Sequence, residues 1–274
     1  MPDSTSIAPE LESALRVHVI NLDPNVERLG EFQTVNKHLA GTERFPAVDG
    51  QKLDIAELAE QGLLSTDLLQ SEFYSIGAVG NAMSHLSLWD RVLKTGKPAT
   101  IAEDDAIFNL QFARSAAAVL GRLPPDWDII YWGYNFDLFM MFQLLPGASP
   151  CIATFDQQQL RAGVSDFQTQ VVPAQPFPLI WAFGTLCYSI SPKGAQVCKS
   201  EILPLRPMIL EIPEVARTYP YSGKYRTVAF DYHLNSLHWR IKSYVCFPPL
   251  VVTKNERSTS AVETAQGLRQ PNGI

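Results

Sequence analysis

The sequence predicts an α/β fold with a mostly parallel central sheet and helices on both faces. Two observations predict it. Short β-branched or apolar runs stop abruptly at turn residues, and the segments between several of them repeat apolar residues at helical spacing. Strands that alternate with helices in this way form a sheet whose crossover helices cover it on both sides. A chain of 274 residues is long enough to bury a substantial core under that cover.

Arg16 to Leu22 reads Arg-Val-His-Val-Ile-Asn-Leu and ends at Asp23-Pro24, a strand followed by a turn. A polar helix follows over Glu27 to Leu39, then a second strand over Thr42 to Val48 and a helix over Asp54 to Leu69. From Ile76 the residues Val79, Met83, Leu86 and Leu93 keep helical spacing until Lys94-Thr95-Gly96, and a strand leads from there into Thr100 to Phe108. Further strands are expected at Asp128 to Trp132, Leu186 to Ile190 and Tyr244 to Phe247. Ser191 is placed to cap a helix that has Pro192 at its first position. Leu138 to Leu145 is too short for a membrane span and reads as a core helix, with a lid as the alternative, whereas Pro173, Pro176 and Pro178 make Val171 to Leu179 an extended loop. The expected organisation is a flexible N-terminus over 1–15, a single domain over 16–257 and a polar tail over 258–274.

The net charge of −6 and the lack of a basic stripe argue against nucleic acid as a partner. Met1 to Ser6 has neither the basic start nor the apolar run of a signal peptide, which predicts a cytoplasmic protein. Cys151, Cys187, Cys198 and Cys246 are scattered without a Cys-x-x-Cys pair; this argues against zinc and fits free thiols.

Thr100 to Phe108, Thr-Ile-Ala-Glu-Asp-Asp-Ala-Ile-Phe, puts three carboxylates at the end of an apolar strand. Adjacent carboxylates repel, and burying one costs several kcal/mol unless a cation or strong donors compensate. Hard divalent ions such as Mg or Mn suit that role and take their remaining ligands from water and phosphate; an exposed acidic turn is the alternative. Asn21 and Arg28 follow the first strand, at the edge where open α/β sheets bind ligands, although a turn residue and a solvated helix residue would look the same. In Gly77-Ala-Val-Gly80-Asn81-Ala-Met-Ser84-His85 the polar residues share a flank of a helix led by glycines. That flank suits a phosphate or ribose contact, or else His85 is a satisfied structural histidine. Gly184 and Thr185 could line a pocket, and Asp231 sits at a helix start among aromatic residues, where an N-cap is the alternative.

Taken in order, Val19-Ile20-Asn21-Leu22 with Arg28, Gly77 to Trp89, Glu103-Asp104-Asp105 with Phe108, Gly184-Thr185 with Tyr188 to Ser191, and Asp231 with Leu234 resemble glycosyltransferase family 25. That family comprises bacterial lipooligosaccharide galactosyltransferases and their collagen-modifying relatives. The resemblance spans roughly Val17 to Asn255 and includes Pro248-Pro249-Leu250-Val251. It implies a GT-A type fold, a UDP-sugar donor that is usually UDP-galactose, a divalent metal, and inversion at the anomeric carbon. Asn81 departs from the pattern, which commonly has cysteine there, and the segment between Tyr134 and Trp181 lies outside it, so the acceptor does not carry over.

On that reading Asp105, with Glu103, holds Mn or Mg, and Glu103 or Asp104 holds ribose or a metal-bound water. Asn21, Leu22, Arg28, Gly80, Asn81, Ser84, His85, Gly184 and Thr185 border the donor, and Asp231 is the base that deprotonates the acceptor hydroxyl. A glycan or lipid-linked oligosaccharide acceptor would bring the enzyme to the inner membrane face as a peripheral protein, and Leu138 to Leu145 would then be a lid over acceptor or membrane. Two other classes remain open: a metal-dependent phosphoesterase or nucleotidyltransferase, and a catalytically silent scaffold.

Overall fold

The computed structural model describes residues 14–69, 74–212 and 224–254. The expected flexible N-terminus lies almost wholly outside the described residues, and the polar tail does so entirely. Val17–Asn21 forms β1 with every side chain buried, as its β-branched composition favours. Helix α1 (Val26–Val35) and strand β2 (Glu43–Pro46) follow. The helix expected over Asp54 to Leu69 is two short ones, α2 (Ile55–Glu60), capped by the Asp54 carboxylate, and α3 (Thr66–Leu69). Helix α4 (Ile76–Thr95) starts at a Ser75 cap and ends at Gly96, and β3 (Ala99–Glu103) runs from it to the acidic triplet.

The middle of the chain adds β4 (Ile107–Phe108), α5 (Phe112–Leu120), β5 (Ile129–Gly133), β6 (Met140–Leu145), β7 (Ser149–Ala153), α6 (Gln157–Ala162), α7 (Val164–Thr169) and β8 (Gln175–Trp181). Then come β9 (Cys187–Ile190), α8 (Pro192–Ile202) capped by Ser191, β10 (Ile209–Glu211), β11 (Lys224–Arg226), α9 (Phe230–Asn235), β12 (Ser243–Phe247) and β13 (Val251–Val252).

Nine strands form one sheet in the order β2-β1-β3-β9-β5-β12-β8-β6-β7. It is mixed rather than mostly parallel. The pairs β1·β2, β1·β3 and β5·β12 are parallel, whereas β3·β9, β5·β9, β12·β8, β6·β8 and β6·β7 are antiparallel. Direction is set by long-range pairing, above all by β9 inserting reversed between β3 and β5, and no local pattern encodes that. Helices do cover both faces. Tyr131 and Tyr188 meet on one face, where Tyr188 meets His85 of α4; their neighbours Trp132 and Ser189 meet on the other, where Trp132 meets Phe112 of α5.

Two expectations fail in the same region. Leu138 to Leu145 holds a strand instead of a core helix, paired on both sides in the sheet, with Met140 to Phe142 buried and Leu144 and Leu145 exposed. The loop expected over Val171 to Leu179 is largely β8, with Pro176 and Pro178 opposite Cys246 and Tyr244 of β12. The prolines alternate, so they occupy one side of the strand and leave the N–H groups of Phe177 and Leu179 available. Among the described residues no helix is long and apolar enough to cross a membrane, and all four cysteines are free thiols.

Candidate functional site

The C-terminal ends of β1 and β3 lie side by side, with Ile20 in register with Glu103. This juxtaposition brings Asn21 against the acidic triplet. Asn21 Nδ2 donates to Asp104 Oδ2 at 2.7 Å and to the Asn25 carbonyl at 3.0 Å. Arg28 Nε donates to Asp104 Oδ1 at 2.9 Å, and its Nη2 makes a second contact with the same oxygen. Arg44, which the sequence reading missed, donates to Asn21 Oδ1 at 3.0 Å and to the Asn21 carbonyl at 3.1 Å while pairing with Asp23. Both oxygens of Asp104 are therefore engaged by Asn21 and Arg28, and both polar atoms of the Asn21 side chain are engaged by protein. This corner is a framework, and Asp104 is not an open ligand position.

Glu103 and Asp105 differ from Asp104. Glu103, half-buried, accepts from the Thr185 hydroxyl at 2.7 Å, and His85 Nε2 lies 3.9 Å from the same oxygen, outside hydrogen-bonding distance. Burial would raise the Glu103 carboxyl, but His85, the Thr185 hydroxyl and Arg28 outweigh it and hold the group below its ordinary range. Asp105 accepts from the Thr253 hydroxyl at 3.0 Å through Oδ2, while its Oδ1 is buried without a hydrogen-bond partner. Burial, reinforced by the Glu103 charge, pushes the Asp105 carboxyl up to about 6. Thr253 arrives there because β13 pairs antiparallel with β4, Val252 opposite Ile107; the Leu250-Val251 run was the one sequence signal for it.

Asp231 is not an N-cap. Ala229 occupies the N-cap position of α9 with no side-chain cap bond, and the Asp231 carboxylate, in the first turn and 8% exposed, accepts from Gly184 N–H at 2.7 Å. One turn on, Asn235 Oδ1 accepts from Ala182 N–H at 2.9 Å, so one flank of α9 grips the segment that leads into β9. Gly184 has φ +77°, and a Cβ there would press on Asn135 at 3.0 Å. Burial, with the Glu103 charge as a secondary contribution against the opposing Gly184 N–H, pushes Asp231 up to about 6. Gly184 and Thr185 thus tie Asp231 and Glu103 to one short segment, and Glu103 N–H donates to the Leu186 carbonyl at 2.9 Å. Tyr74, also missed in the sequence, is buried beside this group with its hydroxyl unpartnered among the described residues; burial and the Asp231 charge push it well up.

The α4 residues divide into two tasks. His85 is fully buried, stacked on Phe230 with ring centroids 5.3 Å apart, and its Nδ1 lies 2.9 Å from Tyr188 Oη. Trp89 Nε1 donates to the same Tyr188 oxygen at 2.9 Å. An indole N–H can only donate, so the phenol is free to donate to Nδ1, which leaves the His85 proton on Nε2 facing Glu103. Gly80 and Ser84 work from behind. Ser84 Oγ accepts from Val48 N–H and donates to the Gly80 carbonyl, each at 2.8 Å, and a Cβ on Gly80 would lie 2.6 Å from the Val48 carbonyl. These two were expected to border the donor, but they are buried in the wall instead, holding the loop after β2. Asn81 is half-buried one turn before His85. The loop they brace closes a cavity of about 210 Å³ at the ends of β1 and β2, lined by Leu22, Ala47, Val48 and Leu53 with Asp49 and Lys52 among its polar groups.

Among the described residues no cluster of three or more His, Cys, Asp or Glu side chains is arranged to hold a metal ion. The position that fits a cation is Asp105 Oδ1, a buried carboxylate oxygen that lacks a partner, with Glu103 beside it.

Comparison with known proteins identifies the family. The family model described as glycosyltransferase family 25 (LPS biosynthesis protein) matches residues 14–203, well over half of the chain. A "Glycosyltransferase 25 family member" from Anopheles gambiae is 30% identical over 132 residues, which is 44% of this chain and 22% of that protein. One from Drosophila melanogaster is 29% identical over 126 residues, 43% of this chain and 21% of that protein. The chain spans about a fifth of the length of these curated relatives. The extent of the family match means that this chain belongs to glycosyltransferase family 25.

Proposed function

We propose that the protein is an inverting, metal-dependent glycosyltransferase of GT-A type that moves a hexose, galactose by family inference, from a UDP-sugar to a hydroxyl of a glycan such as lipooligosaccharide. The observation that carries this reading is the pairing of two desolvated carboxylates of different surroundings, Asp105 and Asp231, through the Glu103–Thr185–Gly184 segment. Such a transfer needs a site for the leaving diphosphate and a base for the attacking hydroxyl, and these carboxylates supply one of each.

The cavity bounded by Leu22, Val48 and Leu53 takes the nucleoside, with Lys52 in its lining supplying positive charge. Asp105 Oδ1, with Glu103, would hold the divalent cation. When bound, that cation neutralises charge on the departing UDP. Asp231, with Oδ2 held by Gly184 N–H, takes the acceptor proton on its carboxylate as the hydroxyl attacks the anomeric carbon from the side opposite the diphosphate. A base pushed up to about 6 is mostly ionised at neutral pH and still basic enough to accept a proton.

The test is UDP release from a panel of UDP-sugars with Mn or Mg, with and without a glycan acceptor, for wild type and Asp105→Ala. Metal-dependent release by wild type and its loss in the variant are expected. No donor turnover or binding by wild type would overturn the transferase reading in favour of a silent binding protein, and full activity in Asp105→Ala would overturn the metal assignment.

A further inference from the structure

We infer that Tyr225 and Tyr232, resting on Phe183 beside Asp231, form the subsite that packs against a sugar ring of the acceptor, so that the acceptor is a glycan rather than a peptide side chain. The inference rests on the transferase reading above and concerns a part of the molecule that the donor does not use.

The rings belong to a second apolar cluster, separate from the main core, whose buried members are Phe139, Met141, Trp181, Phe183 and Ile212. Phe183 is its centre, with centroids 5.5 Å from Tyr232, 5.7 Å from Tyr225 and 5.9 Å from Trp181. Tyr225 and Tyr232 are themselves 6.4 Å apart, and both are half-buried, so each keeps a surface outside the cluster. Two covalent neighbours tie this patch to the base: Phe183 precedes Gly184, whose N–H holds the Asp231 carboxylate, and Tyr232 follows Asp231. The donor cavity lies at the β1–β2 end of the sheet, whereas this cluster is built from β6, β8, β10, β11 and α9.

The chemistry favours a sugar. A pyranose presents an apolar C–H face rimmed by hydroxyls, and a pair of tyrosines offers ring faces with phenol groups at their edges. An acceptor hydroxyl on a flexible peptide side chain has no ring face to match such a platform.

The inference is tested on the full chain without donor or metal, by saturation-transfer NMR with lactose and methyl β-galactoside as sugar probes and a hydroxyl-bearing peptide as the rival. Saturation of the sugar ring protons is expected. Tyr225→Leu and Tyr232→Leu should each weaken lactose binding about fivefold, while Trp239→Ala, which removes an exposed aromatic outside both clusters, should not. If the leucine variants do not fold, Tyr232→Phe, which keeps the ring, should still weaken lactose binding about twofold through its missing hydroxyl. No sugar saturation in wild type, saturation of the peptide alone, or unchanged lactose binding in the folded variants would overturn the platform. Because this experiment involves no turnover, its failure leaves metal-dependent UDP release standing, and failure of UDP release is read separately.

Discussion

On the β1 side of the acidic triplet, the Asp104 carboxylate is met by Asn21 and Arg28, with Arg44 bracing Asn21 from behind. On the opposite side, one step along the chain, Asp105 has an oxygen buried with no partner, and Asp231 lies under comparable desolvation. Adjacent residues of the same charge thus do different work. The paired corner holds the ends of β1 and β3 in register, and the under-paired carboxylates keep capacity for a cation and a proton. The difference teaches that in such a triplet the number of protein donors per carboxylate, more than the charge itself, separates framework from chemistry.

The largest effect that would break this division is at Asp231. Asp231→Asn should lower transfer by about 10²- to 10⁴-fold while donor binding persists, the usual range for a lost general base. Wild-type transfer should fall as pH drops below about 6, where the base becomes protonated. Stability should move the other way. The folded-state pKa lies above the ordinary 3.8, so the folded protein holds the proton more tightly than the unfolded chain, and its stability declines as pH rises through that window to about 6. The asparagine variant should therefore be more stable than wild type at pH 8, by about 2–3 kcal/mol, and close to it at pH 4. Urea titrations at the two pH values measure this. A variant less stable than wild type at both would make Asp231 framework, like Asp104.

Asp104→Ala comes next. It leaves Arg28 and Asn21 facing a void, and removing one member of a largely buried pair costs about 3 kcal/mol or more. The same change at Asp105 removes a carboxylate that is already poorly compensated, so Asp105→Ala should be nearly neutral or stabilising in a metal-free buffer at pH 8. Thermal melts of the two variants side by side give the contrast, and equal destabilisation would erase the distinction between the two aspartates.

Much of this site was legible in the sequence because its pieces lie at the ends of strongly patterned elements. β1, α4, β3 and the Ser191-capped helix fall close to where periodicity and caps put them, and Asn21, Arg28, the triplet, Gly184, Thr185 and Asp231 do converge. Less local features were not legible. The reversal of β9, the strand made from Leu138 to Leu145 and the proline-bearing β8 all depend on partners distant in sequence. The saturation of Asp104 depends on Arg28 and on an Asn21 side chain fixed by Arg44, a residue on another strand with no motif of its own. Gly80 and Ser84 looked like a phosphate-binding flank because a close approach of backbone to backbone, here α4 to the loop after β2, calls for the same small residues as a close approach to a ligand.

The smallest predicted effect tests the comparison most finely. Thr253→Val removes the hydroxyl that donates to Asp105 Oδ2 and little volume. If Asp105 is already poorly compensated, losing this donor costs about 1 kcal/mol when the carboxylate is charged and less when it is protonated. The penalty should therefore be larger at pH 8 than at pH 5 in metal-free buffer, because the group changes charge near 6. A parallel Thr185→Val, acting on a Glu103 held below its ordinary range, should show a penalty that is constant between those pH values, since Glu103 stays ionised throughout. A flat profile for Thr253→Val would mean that Asp105 is ionised at pH 5 as well and has compensation beyond Thr253. Asp105 would then belong with Asp104, and the cation site would have to be sought elsewhere.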